Sequence, residues 1–313
     1  MEEAKEQPAL LENKKHRFWE LDFLRGICVL LMVFDHCMFT MGYLMPSTGA
    51  ELGTNMWEGM YSFVNNVYWY GSLRSYAHVI VVCIFFLICG ISCTLSRSNF
   101  KRGILCFLAG CAVTFVTVIA DRVMPQDSEP IAIYFGVLHM LGIAMLLYGA
   151  LDSLGSLIAK IGKSEQTKKI TKIIGDYLTP TVGLIFLIIF FACFFQSLSY
   201  GELTTNIVIK DKSSSVLASI FIGVKPYDNN GEWIIGGSDY WPLLPWVAIV
   251  LIGGFIGRGL YHSKAKNYLA KLDGKWNKPV CFVGRHALLI YVAHQVAIFV
   301  LCFIITLVVS WFA

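Results

Sequence analysis

Long apolar runs separated by short polar connections organise the chain from residue 18 onward. A first run covers 18–44, and six more lie at about 76–96, 103–120, 131–151, 180–199, 241–261 and 279–312. Most come close to the roughly 20 residues that an α-helix needs to cross a bilayer core. The last is long enough to predict a tilted or broken helix. Between the first two runs, residues 45–75 are polar and rich in Trp, Tyr, Gly and Asn, which suits an interfacial excursion. The longest connection, 200–239, contains one apolar stretch, Val216–Val224, too short to span. It predicts an interfacial or re-entrant lid. The pattern therefore predicts an all-α, polytopic membrane helix bundle of about seven spans. Residues 1–16 would be a cytoplasmic N-terminal tail and 17–313 a single transmembrane domain.

Composition agrees: 56% of residues are apolar and only 15% charged, well below the charged share of soluble domains. The formal charge of +4 is gathered into clusters between the apolar runs. They read as topology signals, and nucleic acid is a poor partner for them. Lys14–Arg17, Arg97/Lys101/Arg102, Lys160 to Lys172 and Arg258 to Lys271 fall on every second connection. Basic residues favour the cytoplasmic side, so the N-terminus is expected inside and the C-terminus outside a cell membrane. Glu51, Asp121, Asp127, Glu129, Asp228, Glu232 and Asp239 occupy the alternate connections. The N-terminal segment lacks a short apolar core with a small-residue cleavage site, so no cleaved leader is expected. All ten cysteines lie in apolar segments without a CxxC pair. They read as buried thiols, and no metal site is predicted.

Ionisable residues inside spans are costly and ask for a reason. In the first span Arg25 and His36 are eleven residues apart. That is three helical turns plus about 20°, so they share a face about 16 Å apart along the axis, with Asp22 one turn below Arg25. Asp22 and Arg25 fit either a self-contained ion pair or an active role. Asp35 points about 100° away from His36, toward another helix or outer water. His78, His139 and His294 reach a similar depth in the outer half once the topology is applied. Each alone fits a hydrogen-bonded core histidine; together with His36 they fit a polar outer cavity. Asp239 opens SDYWPLLPW (238–246), where Pro242 and Pro245 free backbone carbonyls; it fits a helix start or an acceptor contact. Arg97, Lys101, Arg102, Arg258 and Arg285 fit phosphate binding as well as topogenesis. No Walker loop, GxSxG elbow, HExxH or dinucleotide fingerprint is present.

Five stretches are familiar as an ordered set: ELDFLRGICVLLMVFDH (20–36), FFLICGISCTLSRSNFKRG (85–103), FGVLHMLGIAMLL (135–147), SDYWPLLPWVAIVLIGGFIGR (238–258) and VGRHALLIYVAHQ (283–295). Together they resemble bacterial members of the heparan-alpha-glucosaminide N-acetyltransferase catalytic-domain family, within the transmembrane acyltransferase superfamily. The resemblance implies an enzyme that carries an acetyl group from cytoplasmic acetyl-CoA to an amine or hydroxyl of an outer-side acceptor, often a sugar. The wider superfamily pattern also implies that His36 is the general base. In lysosomal members this position looks like Asn and the catalytic histidine lies in the following loop, yet no histidine occurs here between Cys37 and Ala77. His36 is then the first candidate and His78 the second. His139 would act beside the base, and Asp35, His78, Asp239 and His294 would contact the acceptor. Asp22, Arg25, Arg97, Lys101, Arg102, Arg258 and Arg285 would hold coenzyme A. The bilayer, the donor and a small-molecule or glycan acceptor are the expected partners, with room left for a homodimer. A proton-coupled transporter using the same intramembrane residues is the main rival, and a haem-binding membrane cytochrome with His36, His139 or His294 as axial ligands is the third reading.

Overall fold

The computed structural model describes residues 18–123, 131–194, 209–213, 215–226, 239–261 and 272–312. The expectations resting on Lys14–Arg17, Asp127, Glu129, Asp228, Glu232, Lys264, Lys266 and Lys271 lie outside these residues, as does most of 200–239.

Helix α1, Trp19–Phe39, runs through a π-helical turn, Thr40–Leu44, into α2, Met45–Glu51. This 33-residue rod outlasts the expected end at 44. Met45 is fully buried with Trp57 and Cys302, so apolar packing carries the helix on. It ends just before Gly53, whose φ of +74° suits a residue without a side chain. Helix α3, Glu58–Phe63, leads through a second π-turn, Val64–Tyr68, and the chain turns back into α4, Ser72–Thr94. The two π-turns touch: a Cβ on Gly42 would lie 2.6 Å from the Val64 side chain.

Helices α5, Asn99–Val123, α6, Val137–Ala159, and α7, Glu165–Phe194, follow. The α7 helix starts 15 residues before the apolar run at 180. Its first turns carry exposed Lys168, Lys169 and Lys172, so hydropathy alone misses them. The expected long inner connection 152–178 thus shrinks to a few residues. Short strands β1, Ile209–Ser213, and β2, Val224–Pro226, pair in parallel around α8, Val216–Ile222. As expected from its length, α8 does not span.

Helix α9, Trp246–Tyr261, has only 16 residues, about 24 Å at helical rise. The non-helical segment 239–245 precedes it, with Pro242 and Pro245 lacking the amide hydrogen that a helix interior uses. Irregular backbone of this kind has to be bonded by its neighbours. The Trp241 amide donates to the Phe135 carbonyl, and the Leu243 and Leu244 amides donate to the carbonyls of Ile220 and Phe221 in α8. The final run is broken, as anticipated, into α10, Lys278–Arg285, and α11, Ala287–Ser310, with His286 between them. Helix α10 presses backbone to backbone on α1: a Cβ on Gly284 would stand 1.8 Å from the Asp22 carbonyl oxygen.

Among the described residues, six helices are long and apolar enough to cross a membrane, with α9 a shorter apolar helix beside them. Phe86, Met140, Tyr148, Trp246, Val250 and Leu251 form the core where α4, α6 and α9 meet. Leu30, Leu31, Phe34, Leu289 and Val296 stay exposed, as expected of surfaces turned to lipid. The fold is a multi-pass membrane helix bundle.

Candidate active site

Helix α1 presents its two ends to two different environments. Toward its C-terminal end His36 meets His294 of α11, with His36 Nδ1 2.5 Å from His294 Nε2. On the other side of the His294 ring, Nδ1 lies 2.6 Å from the Tyr291 carbonyl oxygen and 3.2 Å from that of Ile290. Neither histidine floats in an apolar core: each has a directed partner, and the partners form a chain.

Tyr291 continues that chain. Its hydroxyl donates to Asp239 Oδ2 at 2.7 Å. Asp239 also accepts from the Trp241 indole at 2.5 Å and from the Val137 amide at 3.3 Å. Burial pushes the Asp239 carboxyl above the usual carboxylate range, against the pull of these three donors. Asp239 therefore does not cap α9; it stitches the non-helical segment to the N-terminus of α6 and to α11. His139, in the first turn of α6, is buried between the rings of Phe107 and Phe135. Its Nδ1 accepts from the Gly136 amide at 3.3 Å. A neutral His139 then carries its proton on Nε2, which makes it a donor there.

Asp35 and His78 flank the histidine pair. Both oxygens of Asp35 are taken: Arg74 donates through Nε and Nη2 at 2.8 Å each, and the Tyr68 hydroxyl donates at 2.8 Å. The Arg74 guanidinium also lies 3.8 Å from the centroid of the Trp69 ring. Burial and the neighbouring Asp35 carboxylate push the Tyr68 phenol upward. Asp35 thus faces another helix, as one of the two expected alternatives had it, and its oxygens are already occupied. His78 packs against the ring of Trp241, with centroids 6.3 Å apart. Its buried Nδ1 has no protein partner. The His36–His294 pair thus connects to Asp239 through Tyr291, and His78 packs on Trp241, which bonds Asp239; His139 stands in the same first turn of α6 whose Val137 amide bonds Asp239.

Near the N-terminal end of α1, Arg25 donates to Asp22 at 3.2 Å and to the Ser92 hydroxyl at 2.7 Å. The Asp22–Arg25 ion pair forms, and it also lines a cavity of about 290 Å³ with Phe18, Leu21, Ser92, Leu95 and Arg285. Arg102 donates to the Ser92 carbonyl at 3.1 Å, which brings a second arginine to the same residue. Arg97 and Lys101 are exposed on the adjoining turn. Arg258 is not with them. It lines a separate cavity of about 310 Å³ between α6 and α7, ion-paired with Asp152 and bonded to the Asp176 carbonyl. Among the described residues no group of His, Cys, Asp or Glu is arranged to hold a metal ion.

Arg74, Tyr68, Trp241, Tyr291 and Ser92 are the site residues that sequence reasoning missed. For Arg74 a signal existed: Asp35 inside a span demands a cation, and Arg74 stands four residues ahead of His78, in the first turn of the next helix.

The profile of the family described as "Heparan-alpha-glucosaminide N-acetyltransferase, catalytic" matches residues 17–163 and 178–296. Those two stretches contain every site residue described above except Asp176. No curated protein and no solved structure matches the chain. The resemblance carried by the five ordered stretches is borne out, and the chain belongs to the heparan-alpha-glucosaminide N-acetyltransferase catalytic family, a family of membrane acetyltransferases.

Proposed function

We propose that the protein transfers an acetyl group from cytoplasmic acetyl-CoA to an amine or hydroxyl of an acceptor on the opposite side of the cell membrane, with His36 as general base. The acceptor class is a sugar or glycan-like molecule. The observation that carries this reading is that one unbroken helix, α1, joins an arginine-lined cavity at Arg25 to a buried histidine cluster at His36. The separation of about 16 Å along the axis is comparable to the reach of an extended pantetheine arm. The phosphates of coenzyme A can therefore stay at the inner mouth, where entry into the bilayer would be prohibitive. Its thioester can meanwhile lie beside the imidazole.

Arg25, Arg102 and Arg285, with Arg97 and Lys101 outside them, supply charge-assisted donors for those phosphates. The acceptor N–H or O–H attacks the acetyl carbonyl carbon. A bond from nitrogen or oxygen to that carbon forms, the C–S bond breaks, and the acceptor proton passes to His36. The same proton then goes to the leaving thiolate, so coenzyme A departs as the thiol. His139 Nε2–H is suited to orient the acceptor or offset charge on the carbonyl oxygen. His78, with an unpartnered Nδ1, and Asp239 belong to the acceptor side.

The purified protein in detergent should bind acetyl-CoA in a calorimetric titration, and the binding should weaken with salt. With glucosamine as acceptor it should release coenzyme A thiol and acetylated sugar in equal amounts. Absence of acetyl-CoA binding would overturn the proposal.

A further inference from the structure

This inference rests on the reading of His36 as the base and concerns what prepares it. We propose that His294 is a positioning residue for acyl transfer: it fixes His36 in the tautomer with the proton on Nδ1, leaving Nε2 as the nitrogen that accepts the acceptor's proton.

The assignment follows from donors and acceptors along one chain. Backbone carbonyls only accept, so the His294 nitrogen facing the Tyr291 and Ile290 carbonyls must carry a hydrogen. In neutral His294 the other nitrogen, Nε2, is then a bare lone pair. That lone pair faces His36 Nδ1 at 2.5 Å, a separation that requires a shared hydrogen. The hydrogen has to come from His36. Ring geometry agrees: the two planes differ by only 15° and the centroids are 4.8 Å apart. That is the arrangement of two near-coplanar rings meeting edge to edge along one N–H···N bond, since the N···N distance plus the two ring radii makes up the centroid separation. Faced rings would sit closer.

His36 Nε2 is the remaining nitrogen. It makes no hydrogen bond to the protein among the described residues, and it is not among the buried polar atoms left without a partner. A lone pair that is neither used nor sealed is what a general base needs. As the acceptor proton arrives, His36 becomes an imidazolium whose Nδ1–H still points at His294 Nε2. That hydrogen bond becomes charge-assisted during the step and strengthens as charge develops. Tyr291 holds the far end of the chain: its carbonyl accepts the hydrogen bond from His294 Nδ1–H while its hydroxyl donates to Asp239. The order of the relay is therefore His36, His294, the Tyr291 backbone, and Asp239 through the Tyr291 side chain.

The test reads the tautomer directly. Nitrogen-15 NMR of histidine-labelled protein, with His36 assigned by its loss in His36→Ala, should show Nδ1 protonated and Nε2 bare in the wild type without any substrate. His294→Leu should abolish that preference. It should also lower kcat by at least about a hundredfold, as misplacing a base's proton does, with the KM for acetyl-CoA unchanged. His294→Gln, whose amide oxygen can accept at the place of Nε2, should restore the tautomer and most of kcat. A wild-type His36 protonated on Nε2 would overturn the inference even if neither variant folds. So would His294→Leu with wild-type kcat, or Gln failing to rescue despite intact folding. Failure of the underlying reading looks different: His36→Ala would then keep full turnover whichever tautomer is seen.

Discussion

The two ends of α1 handle polar groups in opposite ways. Around Asp35 and His36, arginine, carboxylate, phenol, indole and imidazole satisfy one another inside the bundle, and Arg74 is only 7% exposed. Around Arg25 the cations stand in an open cavity, with Arg285, Arg97 and Lys101 turned to solvent. A closed network holds its members within tenths of an ångström, which chemistry at one atom requires. An open basic mouth tolerates looser geometry, and capture of a polyanion needs only charge in the right region. The difference teaches which substitutions should unfold the protein, which should slow it, and which should merely weaken donor binding.

The largest effect is expected at Arg74. Arg74→Leu leaves the partly buried Asp35 with the Tyr68 hydroxyl but without its cation, at a cost approaching about 3 kcal/mol. Thermal melting in detergent should show a large loss of stability; an unchanged melting curve would erase the contrast between the two ends. Tyr291→Phe removes one donor from the buried Asp239 carboxylate and should cost about 1–3 kcal/mol, again read by melting. Arg25→Ala belongs to the open end. It should weaken acetyl-CoA binding by about tenfold, the loss of one charge-assisted contact of about 1.4 kcal/mol, without lowering kcat at saturation. The smallest effect is expected at Arg258, already held by Asp152 and Asp176 in its own cavity. Arg258→Ala should leave acetyl-CoA affinity unchanged, and a loss equal to that of Arg25→Ala would merge the two cavities into one donor site.

Much of this was legible in the sequence because hydropathy reports depth along the membrane normal. Periodicity on α1 put Arg25 and His36 on one face. The alternating connections then placed His78, His139 and His294 at the depth of His36; the structure joins His36 to His294 and adds Asp239, reached through Tyr291 and Trp241. The sixth apolar run starts at about 241, but the helix begins only at Trp246, after Pro242 and Pro245. Depth, however, says nothing about position around the bundle. His36 and His294 are 258 residues apart, and only packing of α11 beside α1 brings them into contact. Arg258 was grouped with Arg25 as a coenzyme A contact, yet it lines a separate cavity against α6 and α7. Arg74 was hidden for another reason. The apolar run begins at about 76, whereas α4 begins at Ser72 behind Gly71, and the polar first turn holds the arginine that Asp35 needs.

The claim on which the rest depends is that His36 removes the acceptor's proton. The most direct test is His36→Ala, checked by melting and by calorimetric binding of coenzyme A, and then assayed for acetyl transfer to an amino sugar that the wild-type protein acetylates. The account predicts intact donor binding, since the arginines lie about 16 Å away, with kcat lowered by on the order of a hundred- to ten-thousandfold. Near wild-type turnover in a folded, coenzyme A-binding His36→Ala would contradict it and move the base to His78 or His139.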